Sequence, residues 1–223
     1  MSHTQGEIIA ITEDHCRVAP KWCELVIQVH KDYPDPTGIG GVVENGAITS
    51  LMDWANVFLV FAPFVSPIRN GPSGRICLQA NISYQRRVVS RLASQLGVME
   101  MLCTRQLRQE GEVNIAADRL LVSHVQSHGF GGTFTAHFHN GRSIAGLQPE
   151  KLGGLGRMLR LGFTAILPPY LLGFTLRSLM STQQVLGKVF ASLPLLALLV
   201  CCHAAGEFIG YMIGAGQSPQ RMA

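Results

Sequence analysis

Charged side chains are scarce in this sequence. Only 14% of its 223 residues are Asp, Glu, Lys or Arg, whereas soluble domains average roughly 25%. The net charge of +4 is too small to indicate a nucleic-acid partner. Because 47% of the residues are hydrophobic, we expect part of the chain to lie out of water.

CxxC pairs are also missing, and the first residues do not have the pattern of a signal peptide. No two of the six cysteines have CxxC spacing, which favours reduced thiols facing the cytosol over a disulfide framework or a zinc site. The cysteines are Cys16, Cys23, Cys77, Cys103, Cys201 and Cys202. The first residues, MSHTQGEI, have neither the basic start nor the long apolar run of a signal peptide.

Two long apolar segments occupy the C-terminal third. Leu161–Leu176 has no charged residue, and Val189–Gly216 has only Glu207 besides a histidine. A membrane span needs about 20 apolar residues, so we predict two C-terminal transmembrane helices, with buried core helices as the alternative. Pro168 and Pro169 break or kink a helix, which leaves a kinked span, a re-entrant segment or an interfacial segment open for the first. The basic residues before it place the preceding part in the cytosol.

Residues 1–150 predict an α/β sheet, because apolar strands alternate with helical patterns. Ile8–Thr12 reads as a strand buried on both faces, as in a parallel sheet. Ile39–Val43 reads as another strand, closed by Asn45 and Gly46. Apolar residues at helical spacing predict a helix between these strands; they are Trp22, Leu25, Val26 and Val29.

Two carboxylates and an imidazole follow the first strand, as Glu13, Asp14 and His15. Ligands bind at the carboxyl ends of strands in open α/β sheets, and carboxylates there can hold a hard cation. Such residues also cap helices in many loops, so the pattern alone leaves both interpretations open.

The order of several segments resembles family 2 glycosyltransferases. AITEDHCRVAPKW resembles the strand that ends in the acidic DxD motif and the helix after it, and GIGGVVENG resembles the next strand and turn. LQANISYQRR is similar to a segment near the acceptor, MEMLCTRQLRQEG to the ED-containing helix, and LLVSH to the closing strand with a histidine. GEFIGYMIG is similar to the membrane tail of a subset of these enzymes.

This resemblance implies a partial GT-A (Rossmann-like) mixed sheet flanked by helices, and an inverting transfer from a nucleotide-sugar donor to a sugar or lipid-linked acceptor. Glu13, Asp14 and His15 would hold Mn²⁺ or Mg²⁺ and the donor's diphosphate. Glu100 stands at the position of the catalytic base, where the family has Asp. The acceptor region would include Asn81, Ser83 and Tyr84.

The departures from the family refine these expectations. His15 stands where many members have a metal-binding Asp, and imidazole suits Mn²⁺ better than Mg²⁺. No QxxRW motif is present, which favours a single transfer over polymerisation. The nucleotide-binding half that precedes the DxD strand in the family has no counterpart, so we expect a truncated form. A non-catalytic membrane protein derived from the family is the alternative function.

The predicted organisation is therefore a partial glycosyltransferase domain over residues 1–150, a membrane-associated helical hairpin over 151–216 and a tail over 217–223. The soluble part would lie on the cytosolic side of the inner or plasma membrane.

Glu207 is an ionisable residue in an apolar helix, where its insertion into a membrane costs free energy. His203 lies four residues before it on the same face. Glycines recur every four residues beside it, as in GxxxG motifs. We expect this helix to pack against Leu161–Leu176 or a second copy, with Glu207 facing protein.

Overall fold

The computed structural model describes residues 5–33, 38–73, 80–89, 113–147 and 153–221. They form an α/β protein, as predicted, and divide into two compact units. The first unit comprises Met1–Gly46 and Pro63–Gln126, and the second comprises Ala47–Ala62 and Ser127–Ala223. The predicted boundary after residue 150 lies within the second unit.

The first unit contains a mixed sheet. Its strands are β1 (Ile8–Ile11), β2 (Cys16–Val18), β3 (Gly38–Asn45), β4 (Gly71–Ser73), β5 (Ile82–Gln85) and β6 (Asn114–His124). Their order is β1-β5-β3-β6-β2, and β4 pairs with the beginning of β6. β3 and β6 are parallel, and the other pairs are antiparallel.

The sheet is strongly curled, because β1 and β2 stand at opposite ends of the strand order but are joined by residues 12–15 alone. The five peptide steps from Ile11 to Cys16 reach at most about 18 Å. Four strand spacings in a flat sheet would require about 19 Å in a straight line. The two edges must therefore approach each other, and the connection lies where they do.

The expected environment of the first strand is wrong. The run Ile8–Ile11 does form a strand, but it pairs antiparallel with β5 and, in the described residues, with no other strand. Only Ile9 is buried, and Ala10 is exposed. A short apolar run has the same sequence pattern in either position, since pairing is decided by residues far away in the chain.

Helix α1 (Trp22–Asp32) covers the sheet with the predicted face. Trp22, Val26 and Val29 are buried against residues of β3 and β6, and Leu25 is partly buried beside them. This spacing of three and four residues places one apolar stripe on the core.

The second unit is helical in its described residues. Its longer helices are α2 (Leu51–Phe61), α3 (Gly129–Gly146), α4 (Gly154–Phe163), α5 (Leu167–Leu179) and α6 (Leu186–Ile213). Ser50 caps α2 in a reciprocal capping box with Asp53. Asp53 also accepts a hydrogen bond from the hydroxyl of Ser127, which precedes α3, at 2.6 Å.

Of the two predicted transmembrane helices, the described residues contain one as a single helix, and the other would count as a span only if a bent pair of helices crosses together. One helical stretch, Gln183–Ile213, is long and apolar enough to cross a membrane by length and composition. The other segment is divided between α4 and α5, whose axes differ by 61°. Pro168 and Pro169 stand in the first turn of α5, where a residue without an N–H is tolerated, and they cannot continue a helix from α4.

The glycines of α6 do mark a close helix contact, but the partner is α3. A Cβ atom on Gly206 would overlap the carbonyl oxygen of Phe138, and one on Gly210 would overlap that of Arg142. α6 does contact α5, which contains most of the expected partner Leu161–Leu176, but its glycine face packs on α3. Glu207 faces protein as expected: its side chain is 14% exposed, and its carboxylate lies 3.3 Å from Nε2 of His203.

Candidate functional site

The turn after β1 carries the polar side chains that the sequence singled out. Residues 12–15 leave β1, and the chain enters β2, which pairs with the end of β6 in the register Cys16 to His124. The backbone holds this turn through hydrogen bonds from Cys16 to Glu13 and from Val125 to His15, each 3.0 Å long. The side chains of the turn thus lie over the carboxyl end of β6.

Three ligand-type atoms meet there. Nε2 of His15 lies 2.9 Å from Oε2 of Glu13 and 3.0 Å from Nε2 of His124. Nε2 of His124 lies 3.5 Å from the same Glu13 oxygen. Two imidazole nitrogens this close repel each other unless a proton or a cation lies between them. The geometry is therefore that of a hydrogen bond between the two rings or of two ligands of one cation.

Asp14 occupies a different position from its two neighbours. Its carboxylate is fully exposed and lies 2.9 Å from Nδ1 of His15, the ring nitrogen that faces away from the cluster. A carboxylate on this nitrogen fixes the tautomer and orientation of the ring, as in carboxylate–histidine–metal arrangements. The structure thus brings Glu13 and His15 to the cluster and places Asp14 behind His15.

The local electrostatics of Glu13 reflect the two imidazoles. Burial raises the pKa of its carboxyl group, but hydrogen bonding and charge from His124 and His15 outweigh this, and the pKa is lower than its usual value. Burial and the neighbouring Glu13 carboxylate raise the pKa of the Cys16 thiol to about 11. In this environment Glu13 is ionised and Cys16 is a neutral thiol at neutral pH.

The donor set fits a divalent cation of intermediate softness. Metal–ligand bonds of about 2.0–2.2 Å place neighbouring ligands about 3–3.5 Å apart, which matches the separations among Glu13, His15 and His124. Two imidazoles and one carboxylate suit Mn²⁺ or Zn²⁺, whereas Mg²⁺ prefers oxygen ligands. Glu13, His15 and Cys16 also form a group whose ligand atoms lie within 4.8 Å of one another.

The three residues of the expected acceptor region are buried in the first unit. Asn81 donates to the carbonyls of Val42 and Leu120, at 2.9 and 2.8 Å, and accepts from the indole of Trp22 at 3.1 Å. It thus bridges β3 and β6 beside their irregular register after Gly41. The hydroxyl of Ser83 lies 3.0 Å from Nε2 of His30, and Tyr84 is 2% exposed. Contact of these residues with an acceptor stays a prediction.

Glu100, the expected catalytic base, lies outside the described residues, and so does the rest of the predicted ED-containing helix. Sequence reasoning missed two members of the cluster. The sequence predicts His124 only as the histidine of a closing strand, and Cys16 only as a reduced thiol. The histidine at the end of LLVSH was the available signal, since strand ends gather at one edge of a sheet.

No protein-family model matches the chain, and no curated protein matches it. The resemblance to glycosyltransferases therefore stays a prediction, and a functional proposal depends on the chemistry of the cluster itself.

Proposed function

We propose that the chain belongs to a metal-dependent glycosyltransferase that moves a sugar from a nucleotide-sugar donor to an acceptor in a single transfer. The observation that carries this proposal is the meeting of His15 with His124. One stands in the segment similar to the DxD motif, and the other ends the segment similar to the family's closing strand. Their side chains converge with Glu13 into a set of ligands for a cation.

Glu13, His15 and His124 would hold the metal, and Asp14 would orient His15. A divalent cation supplies positive charge that neutralises a leaving diphosphate. The carboxylate of Glu13 would also offset part of the positive charge of the metal, because the two imidazoles are neutral ligands. The mixed sheet with its flanking helix agrees with the α/β architecture that the resemblance implies. Glu100 is kept as the proposed base that removes the acceptor's proton.

The proposed location of the soluble part is the cytosolic face of the inner or plasma membrane, where α6 would anchor it. Nucleotide sugars are cytosolic, and a membrane anchor would suit a lipid-linked acceptor. Reporter fusions near Thr182 and at Ala223 test this arrangement, because a single crossing by α6 puts them on opposite sides. Two reporters on the same side would contradict it.

The test of the metal site is calorimetric titration of the full chain with Mn²⁺, alone and with uridine or guanosine diphosphate. We expect Mn²⁺ to bind, and to bind more tightly with the nucleotide. His15→Ala and His124→Ala should each weaken Mn²⁺ binding by about 100-fold. His128→Ala, which removes an imidazole from the second unit, is the control. Unchanged Mn²⁺ affinity in both cluster variants would refute the metal site.

A structural zinc site in a non-catalytic protein is the second candidate, favoured by Cys16. Its sulfur lies 3.9 Å from Oε2 of Glu13. With Cys16 as a fourth protein ligand, the site would have no open position, as is usual for structural zinc. Cys16→Ser separates the two. It should leave Mn²⁺ and nucleotide binding unchanged in the glycosyltransferase, but it should release zinc and lower the melting temperature if the site is structural.

A further inference from the structure

Helix α4 presents an uncovered apolar face. None of its ten residues is buried. Four large apolar side chains are 40–73% exposed: Leu155, Met158, Leu159 and Phe163. Their spacing of three, one and four residues places them on one side of the helix. An apolar stripe without a protein partner in the described residues requires another apolar surface.

The opposite side of α4 is attached to the end of α6. The guanidinium of Arg157 donates hydrogen bonds to the carbonyl oxygens of Tyr211 and Met212 in the last turn of α6. Arg142 of α3 donates to the carbonyl of Gly214, at 3.0 Å. Carbonyl oxygens at the C-terminal end of a helix are acceptors for side-chain donors, and cations are favoured at this end of the helix dipole. Arg157 therefore fixes α4 at the level where α6 ends.

If α6 crosses a bilayer, its C-terminal end lies near one surface of the membrane. Only 28% of its most apolar 18 residues are buried, so the described part of the chain leaves most of this surface uncovered. An apolar helix ends near the boundary between the acyl chains and the headgroups, and arginines concentrate there because their charge stays hydrated. The end of α6, with Arg142 and Arg157, is such a boundary.

Helix α4 is too short to cross a membrane itself. Ten residues span about 15 Å, half of the hydrocarbon thickness. Its axis is bent by 61° from that of α5, which follows it. With one apolar and one basic side, it has the pattern of helices that lie in the plane of the interface.

We propose that Gly154–Phe163 is an interfacial helix that inserts Leu155, Met158, Leu159 and Phe163 into the lipid leaflet at the C-terminal end of α6. The occupant of its apolar face is the phospholipid surface. This inference rests on membrane insertion of α6 and not on the proposed glycosyl transfer, which can fail without affecting it.

The experiment measures depth by quenching of an introduced tryptophan. The full chain carrying Leu159→Trp is reconstituted into phosphatidylcholine vesicles brominated either near the headgroup or near the chain ends. Emission of the parent protein, with Trp22 and Trp54, is subtracted. Leu198→Trp is the matched reference, because Leu198 is 52% exposed near the middle of α6.

An interfacial helix buries its side chains about 5–10 Å below the headgroup boundary. We therefore expect headgroup-proximal bromine to quench the tryptophan at position 159 more strongly, and chain-end bromine to quench the one at position 198 more strongly. If the tryptophan at position 198 is quenched and the one at position 159 is not, the proposal is overturned, since α4 would then avoid lipid. Strongest quenching of position 159 by chain-end bromine would overturn it in favour of a transbilayer segment. Absence of quenching at both positions would show that α6 is not inserted in the membrane, and it would overturn the proposal as well.

Discussion

His15 and His124 are 109 positions apart in the chain, but their Nε2 atoms lie 3.0 Å apart and their rings meet edge to face. The contact follows from the pairing of β2 with β6, which sets Cys16 opposite His124. Residues opposite each other in an antiparallel pair place their Cβ atoms about 5 Å apart, so the residue before Cys16 is also brought near His124. The curled sheet thus makes the cluster from two distant segments.

Asp14→Asn tests whether Asp14 orients His15 or binds the metal directly. We expect Mn²⁺ affinity to fall by about 10–100-fold, the usual effect of losing a partner of a metal-ligating histidine. Glu13→Gln should cost more, because it removes a ligand. Calorimetric titration compares the two, and Glu24→Gln on α1 is the control. Equal losses for Asp14→Asn and Glu13→Gln would make Asp14 a direct ligand instead.

The sequence predicted the elements of the site better than their arrangement. The helical face of Trp22, Val26 and Val29 and the strand at Ile8–Ile11 were found where the pattern placed them, because both depend on local periodicity. The partner of that strand depends on β5, some 70 residues away, and no local pattern specifies it. β2 has only three residues, Cys16–Val18, too few to give an alternating pattern. For this reason the pairing of β2 with β6, which brings His15 to His124, could not be predicted.

The helical unit shows the same limit. Glycines at intervals of four predicted that α6 packs closely against a helix, since only a residue without a Cβ allows backbones to touch. They carry no information about the partner, which is α3 and not the neighbouring apolar segment. The pairing of His203 with Glu207 was predictable because it lies within one helix at a spacing of four residues.

Asn81 is expected to be a main determinant of stability in the first unit. Asn81→Ala removes the side-chain hydrogen bonds of Asn81 with the carbonyls of Val42 and Leu120 and with the indole N–H of Trp22. Unpaired buried groups cost about 1–3 kcal/mol each, so the free energy of unfolding should fall by about 3 kcal/mol or more. Thermal unfolding in detergent measures this. Asn70→Ala, which removes one exposed hydrogen bond to the backbone of Asp118, should cost less than about 1.5 kcal/mol. Equal effects of the two would show that Asn81 has no special role.

His30 should make the first unit sensitive to mild acid. Burial lowers the pKa of its imidazole from 6.5 to about 4, while its Nε2 lies 3.0 Å from the hydroxyl of Ser83. Between these two values the unfolded chain binds a proton that the folded chain does not, so stability is full above pH 6.5 and is lost as the pH falls towards 4. The loss should be on the order of 1–3 kcal/mol. Unfolding midpoints between pH 7 and pH 4 measure it, with His30→Gln as the comparison. An unchanged pH dependence in His30→Gln would assign the acid sensitivity to other groups.

The contact of α3 with α6 can be tested at single glycines of one helix. Gly206→Ala places a methyl group against the carbonyl oxygen of Phe138, whereas a methyl group at Gly187 meets no atom within 4 Å. Overpacking costs about 1–3 kcal/mol, so Gly206→Ala should lower the melting temperature in detergent. Gly187→Ala should leave it unchanged or raise it, because alanine favours helix by up to about 1 kcal/mol over glycine. Since the partner helix belongs to the same chain, the loss at Gly206 should not vary with protein concentration. A loss that disappears on dilution would indicate that this face binds a second copy, and equal stability of the two variants would exclude close packing at Gly206.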